Sequence, residues 1–442
     1  MNQCGSGQFV WCRTRAKFVE VRDRYLSAAR PIQTEEHLKG REKVLSDLVD
    51  ALRSPGRHAF IYGYRGVGKT SLAQTAAFRI QSAKRPPAIV SCETSSTFES
   101  VIRDVVIQAA GLNPLATSRQ SGLSGGLTFA GMGANASMSG SSVPPNVQIT
   151  GVADAVNLLN FVAQDKSELT IVIDEFDQIV DAEQHRKFAN LIKQISDRGI
   201  AVRVILCGIA ETAEALLSEH ASIFRQVHAT EVERLKPQAR LDIIDDALKA
   251  LGMTIPRGLC YRISSISDGF PSFVHLVTEK VLTATFDENL LETNGTTYER
   301  GLEDAVRSVE LTLKRTYERA VHRNTKNLET VVWALASEKF LEANVEAIWN
   351  QYRRICTMLS VHAAPREKFA QRLGLLCKDD YGPLLVRLRH ANYAFGEKMM
   401  RAYARLRAEF AGCQIGEENP DYSMGKVAAP EMGALISYHD PK

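Results

Sequence analysis

Between residues 59 and 232, short apolar runs alternate with segments of helical period. Residues 59–62, 88–92, 169–173, 202–207 and 227–232 read as strands. Between them lie amphipathic stretches at 69–81, 98–110, 152–164, 182–196 and 211–218. A further one, with Val44, Leu45, Leu48, Val49 and Leu52 on one face, precedes the first strand and stops at Ser54-Pro55-Gly56. Strands that alternate with helices predict a parallel sheet with helices on both faces. From residue 237 the strand signal disappears. Three helices are expected over 241–251, 258–266 and 272–285, then one long charged helix over 298–323. Three more, at 328–336, 345–359 and 367–376, lead to two short strands at 384–388 and 393–395 and a closing helix at 397–410.

These elements divide the chain into a lead-in at 1–34, an α/β core at 35–235, a helical region at 236–324, a mostly α domain at 325–412 and a polar tail at 413–442. One stretch of the core breaks the pattern. Residues 113–150 are dense in Gly and Ser and almost uncharged (SGLSGGLTFAGMGANASMSGSSVPP). Such a segment buries too little apolar area to offset its ordering entropy, so a flexible insertion is expected, or a loop that orders on a partner.

Composition narrows the class of protein. Of 442 residues, 45% are apolar and 24% charged, which excludes collagen-like, disulfide-scaffold and wholly disordered chains. The net charge of +3, from 54 basic and 51 acidic residues, gives no whole-chain attraction to nucleic acid or membrane. No apolar run approaches the roughly 18 residues of a membrane span. The start, MNQCGSGQFVWC, lacks the pattern of a secretory signal, so a cytoplasmic protein is expected. The eight cysteines contain no CxxC pair and read as reduced, mostly buried thiols.

One motif carries specific chemistry. Gly63, Tyr64, Arg65, Gly66, Val67, Gly68, Lys69 and Thr70 spell G-x-x-x-x-G-K-[ST] between a predicted strand and a predicted helix. Glycines there let successive N–H groups turn inward around phosphate oxygens, and the helix adds its positive end. Lys69 would reach the β- and γ-phosphates, Thr70 would ligate Mg²⁺, and Ser71 follows in the same turn. The expected ligands are therefore ATP and Mg²⁺. LTIVIDEFD sets Asp174 and Glu175 at the carboxyl end of another strand, the edge where ligands of open α/β sheets bind. Asp174 suits the metal's shell and Glu175 an attacking water. Alone, two such acids could equally cap a turn. Asp177 reads as a helix cap.

At these residues the chain resembles the AAA+/STAND division of P-loop ATPases, most of all the origin-recognition initiators and related bacterial ATP-binding proteins. The resemblance covers about residues 35–290. It implies that Gly40-Arg41-Glu42 is the box bordering the adenine, with Gly40 and Arg41 in contact with nucleotide. It also implies that Arg225, in SIFRQV, is an arginine finger, and that Pro271, in DGFP, touches the base from a helical lid. Cys207 stands where the family has a polar sensor and is not assigned as one; His275, the nearest basic residue after DGFP, reads as a packing residue.

The last domain is similar to the winged helix appended to initiator ATPases. Independently of that, residues 351–410 hold 12 Lys/Arg and 5 Asp/Glu, a net +7 that leaves −4 for the rest. Arg387 and Arg389 fall at the predicted hairpin, Arg401 and Arg405 one turn apart on the closing helix. Such a stripe suits a phosphate backbone, or an acidic protein. The sequence thus points to an ATP-hydrolysing switch acting with double-stranded DNA, with self-association or a partner protein and no membrane. The alternatives are a STAND-type signalling ATPase whose last domain docks protein, and a nucleotide-binding scaffold without turnover.

Overall fold

The computed structural model describes residues 14–27, 34–81, 85–111, 148–164, 168–210, 212–213, 223–322 and 328–416. Most of the expected insertion at 113–150, most of the tail and most of the 211–218 helix lie outside these residues. The chain forms two compact units, Pro31–Glu233 and Met1–Arg30 with Arg234–Lys442. Among the described residues no helix is long and apolar enough to cross a membrane.

The first unit is a five-stranded parallel sheet, β1 (His58–Tyr62), β2 (Ala88–Ser91), β3 (Leu169–Asp174), β4 (Val202–Gly208) and β5 (Val227–Glu231), in the order β2-β3-β4-β1-β5. All six residues of β3 are buried, as expected for a strand covered on both faces. In register, Ile61 lies beside Cys207 and Thr230, and Ser91 beside Asp174. The flanking helices in this unit were α2 (Glu42–Arg53), α3 (Lys69–Ile80), α4 (Phe98–Ala109), α5 (Val152–Gln164), α6 (Ala182–Asp197) and the short α7 (Ile223–Gln226); α1 (Arg15–Tyr25) belongs to the other unit. Their starts are chemical. Thr97 and Ser100 close a capping box on α4, and Asp181 caps α6. Phe60, Phe176, Phe188 and Phe98 interlock edge-to-face beneath the sheet, with centroids 5.0 to 6.1 Å apart.

The second unit is helical. It contains α8 (Pro237–Leu251), α9 (Arg257–Ser267), α10 (Pro271–Asp287), α11 (Gly295–Ser308), α12 (Leu311–His322), α13 (Leu328–Ser337), α14 (Val345–Met358), α15 (Arg366–Leu375) and α16 (Met400–Phe410). Three departures from expectation appear. Part of the lead-in is α1, whose Phe18 stacks on Phe286 of α10 at 4.2 Å and whose Arg22 donates to Thr283. The helix expected over 298–323 is two, because Val309 turns extended and inward between them; no Gly or Pro marks the break. A strand at Glu342–Asn344 (β6) was not expected. It joins β7 (Leu385–Arg387) and β8 (Asn392–Phe395) in an antiparallel sheet of order β6-β8-β7. Three residues, two of them exposed and polar, carry too little pattern to announce a strand.

Candidate functional site

β1 ends at Tyr62 and the chain turns at once. The Val232 N–H donates to the Tyr62 carbonyl at 2.7 Å. A Cβ on Gly63 would lie 2.5 Å from the Val232 carbonyl oxygen, so β5 approaches too closely for any other residue. Gly68 starts α3 from a left-handed conformation, φ +97°, which a side chain would strain. Between these two glycines, Val67 is buried while Tyr64 and Arg65 are exposed. Lys69 Nζ donates to the carbonyls of Gly63 (3.0 Å) and Tyr64 (3.1 Å), so the ammonium spans the loop. Ser71 sits half-buried in the first turn of α3.

Asp174, the last residue of β3, is buried. Its carboxylate accepts the Thr70 hydroxyl at 2.6 Å on one oxygen and the Glu175 N–H at 2.9 Å on the other. The Cys207 thiol also hydrogen-bonds to it. Burial, then the Asp174 charge, pushes that thiol well above its ordinary range, so Cys207 is a neutral donor. Cys92, whose N–H donates to the Asp174 carbonyl, is pushed up to about 12 by burial and then by Asp174, Glu175 and Asp177. Glu175 is exposed and left-handed, φ +53°. That conformation costs a non-glycine residue about 1–2 kcal/mol and is typical of working positions.

Arg41 is buried beside this loop. Its guanidinium donates to the Val67 carbonyl at 3.3 Å and to the Glu233 carbonyl. Burial lowers its pKa, and the charge of Glu233 opposes that. Gly40, next to it, donates its N–H to Glu42 Oε1 at 3.0 Å.

The first unit therefore brings together Gly40, Arg41, residues 63–71, Asp174 and Glu175. Arg225 does not join them. It is exposed just before β5, and β5 runs parallel to β1, so it stands at the sheet edge opposite the phosphate loop. Pro271 belongs to the other unit, at the first turn of α10.

The closing helix departs most from expectation. Arg401 and Arg405 are 1% and 2% exposed, so neither is available to a phosphate backbone. Their guanidiniums bond instead to carbonyls of Ala336, Glu338, Lys339 and Phe340 and, from Arg405, of Ser265. Both also pair with Asp268. Burial, then the neighbouring Arg405 charge, lowers Arg401 to about 9. Arg387 and Arg389 are exposed at the hairpin between β7 and β8.

Comparison with known proteins starts from the first unit. Residues 37–206 match the sequence pattern of the AAA ATPase domain. No curated protein matches the sequence. Among solved structures, a Walker-type ATPase of Pyrococcus abyssi matches with a TM-score of 0.51 at 14% identity, over 85% of this chain and 99% of that one. The ORC2 protein of Aeropyrum pernix matches at 0.48 and 14% identity, over 88% and 98%. The first of these is a likeness of fold. In the first unit, the phosphate loop and the acidic pair were legible as motifs. The Cys207–Asp174 bond was not, because a thiol at a strand end carries no signal until its neighbour across the sheet is known.

Proposed function

We propose that the chain is an ATP-binding and ATP-hydrolysing switch that acts with duplex DNA. The observation that carries this reading is the Thr70 hydroxyl 2.6 Å from the Asp174 carboxylate, with Glu175 exposed in the next position. A hydroxyl and a carboxylate are the hard oxygen donors that Mg²⁺ takes, and the glycines of the loop leave room for phosphate against the backbone. When bound, Mg-ATP supplies the transferable phosphoryl group and neutralises charge on it. Lys69 exchanges its carbonyl partners for phosphate oxygens. Asp174 orients the Thr70 hydroxyl. Glu175, free of a buried environment, orients water and accepts its proton. Gly40 and Arg41 border the base. Arg225, on the far edge of its own sheet, serves the site of a second copy.

Helices α13–α15, with β6 between α13 and α14 and with β7 and β8 after α15, support a winged-helix reading of the C-terminal part. Its exposed Arg387 and Arg389 support contact with a phosphate backbone. The burial of Arg401 and Arg405 halves the expected stripe and favours, as a second reading, a signalling ATPase that docks protein there. The test is turnover. Glu175→Gln keeps shape but removes the base, and should bind ATP while hydrolysing it at least ~10²-fold more slowly. Turnover equal to wild type removes Glu175 from its role, and no turnover in wild type leaves a scaffold.

A further inference from the structure

Glu175 adopts a backbone conformation that favours glycine, φ +53° and ψ +36°. Its side chain is exposed and takes its direction from that backbone, so whatever holds the conformation also aims the carboxylate. On one side, the Asp174 carboxylate accepts the Glu175 N–H at 2.9 Å. On the other side a 3-10 turn follows over Phe176–Gln178. The Gln178 N–H donates to the Glu175 carbonyl at 2.9 Å, and the Ile179 N–H to the Phe176 carbonyl at 3.2 Å. Both ends of this turn are tied to α6. The Phe176 ring lies against the rings of Phe60 and Phe188 and, at 5.2 Å and 33°, against that of His185. The Ile179 carbonyl meets His185 Nε2 at 2.6 Å. A carbonyl can only accept, so Nε2 carries the proton and donates. Val180, between turn and helix, is 85% exposed and packs on little. Asp181 then caps α6, and its carbonyl accepts the His185 N–H at 3.2 Å. The chain thus leaves the turn, starts a helix, and sends one buried side chain back to the carbonyl it has just left. All of these contacts lie in the first unit.

We propose that His185 is a positioning residue for Glu175: its Nε2–H holds the Ile179 carbonyl, and with it the turn that keeps Glu175 left-handed and its carboxylate aimed at water. The proposal rests on the reading of Glu175 as the base. A buried carbonyl that loses its donor must find another, here water. To reach it, the Ile179–Val180 peptide has to rotate. That rotation shifts Ile179 and loosens its 3.2 Å bond to the Phe176 carbonyl, which opens the turn. Glu175 then relaxes to the right-handed region, where a side chain is less strained, and its Cβ swings to another direction. The Thr70–Asp174 bond and the two Lys69 bonds do not pass through the turn and stay in place. Loss of the His185 donor should therefore strike turnover and spare nucleotide binding.

Steady-state phosphate release and calorimetric titration of Mg-ATP, both on the full chain, test the assignment. His185→Phe keeps a ring against Phe176 and drops the donor. It should lower kcat at least about tenfold, part of the roughly 10²–10⁴ that a general base supplies, with ATP affinity within about twofold of wild type. His185→Gln sets an amide N–H near the place of Nε2 and should bring kcat back to within about threefold of wild type. Added to Glu175→Gln, His185→Phe should slow turnover no further, because the group it aims is already gone. Wild-type kcat in His185→Phe overturns the proposal, as does an equal loss in His185→Gln or a further drop in the double variant. If His185→Phe does not fold, Phe176→Leu takes its place: it removes the ring that His185 packs on, keeps an apolar side chain, and should lose kcat at unchanged affinity. Wild-type kcat there overturns the proposal too. Glu175→Gln that alone turns over like wild type removes the base reading instead, and the positioning role falls with it.

Discussion

Acidification should loosen the first unit through one buried histidine. His58 opens β1, the strand that carries the phosphate loop, and is fully buried. Its Nδ1 accepts the Val204 N–H at 3.1 Å, so Nε2 carries the proton and meets Ser196 Oγ at 3.0 Å. A protonated ring would lose the Val204 bond and hold a charge without water. Burial, then the Arg203 charge, accordingly lowers the His58 pKa from 6.5 to about 4. The sign follows. Between pH 6.5 and 4 the unfolded chain binds a proton at this site that the folded one refuses, so stability falls as pH falls through that window and is flat above it. At about 1.4 kcal/mol per pKa unit, the loss is about 2 kcal/mol by pH 5 and about 3 kcal/mol below pH 4. Urea denaturation at several pH values between 4 and 7.5 measures it, with His58→Gln as the reference. Glutamine can accept from Val204 and donate to Ser196 but does not titrate. The variant should be weaker than wild type near neutrality yet lose less stability on acidification. Parallel curves for the two proteins would refute the assignment.

Three further outcomes follow from the site. Glu175→Gln should bind ATP and turn it over at least ~10²-fold more slowly, measured as phosphate release. Arg225→Ala should lower activity, and mixing it with Lys69→Ala protein should restore part of it; a monomeric, fully active wild type in light scattering excludes a shared site. Changing Arg387 and Arg389 together to Ala should reduce the slope of log K for duplex DNA against log salt by roughly two, at about 0.9 per phosphate contact, in titrations of the full chain. Absence of DNA binding by wild type at low salt would favour the protein-docking reading.

What the sequence made legible was local. The phosphate loop needs only glycines at set offsets between a strand and a helix, and Asp174-Glu175 needs only the end of an apolar run. What it hid depended on distant neighbours. The i, i+4 spacing of Arg401 and Arg405 correctly puts them on one helix face, but spacing does not say whether that face meets water. Here it meets Asp268 and the carbonyls of residues 336–340, more than 60 positions away in sequence. Glu409, on the same helix, is likewise buried against Arg262. Charge was therefore read as exposure in a helix where charge is paired inside. α1 was hidden for a related reason: its one buried side chain, Phe18, sits in an otherwise polar, arginine-rich stretch and finds its partner Phe286 far along the chain.

The central claim is that residues 63–70 bind the phosphates of a nucleotide, and Lys69 tests it most directly. Its ammonium holds the loop carbonyls of Gly63 and Tyr64 rather than packing in the core, so its loss should leave the fold standing. Isothermal titration of Mg-ATP into wild type and Lys69→Ala, with thermal melting of both, makes the measurement. The account predicts saturable binding to wild type, none to the variant, and equal melting temperatures without nucleotide. Equal affinity for the two proteins would contradict it.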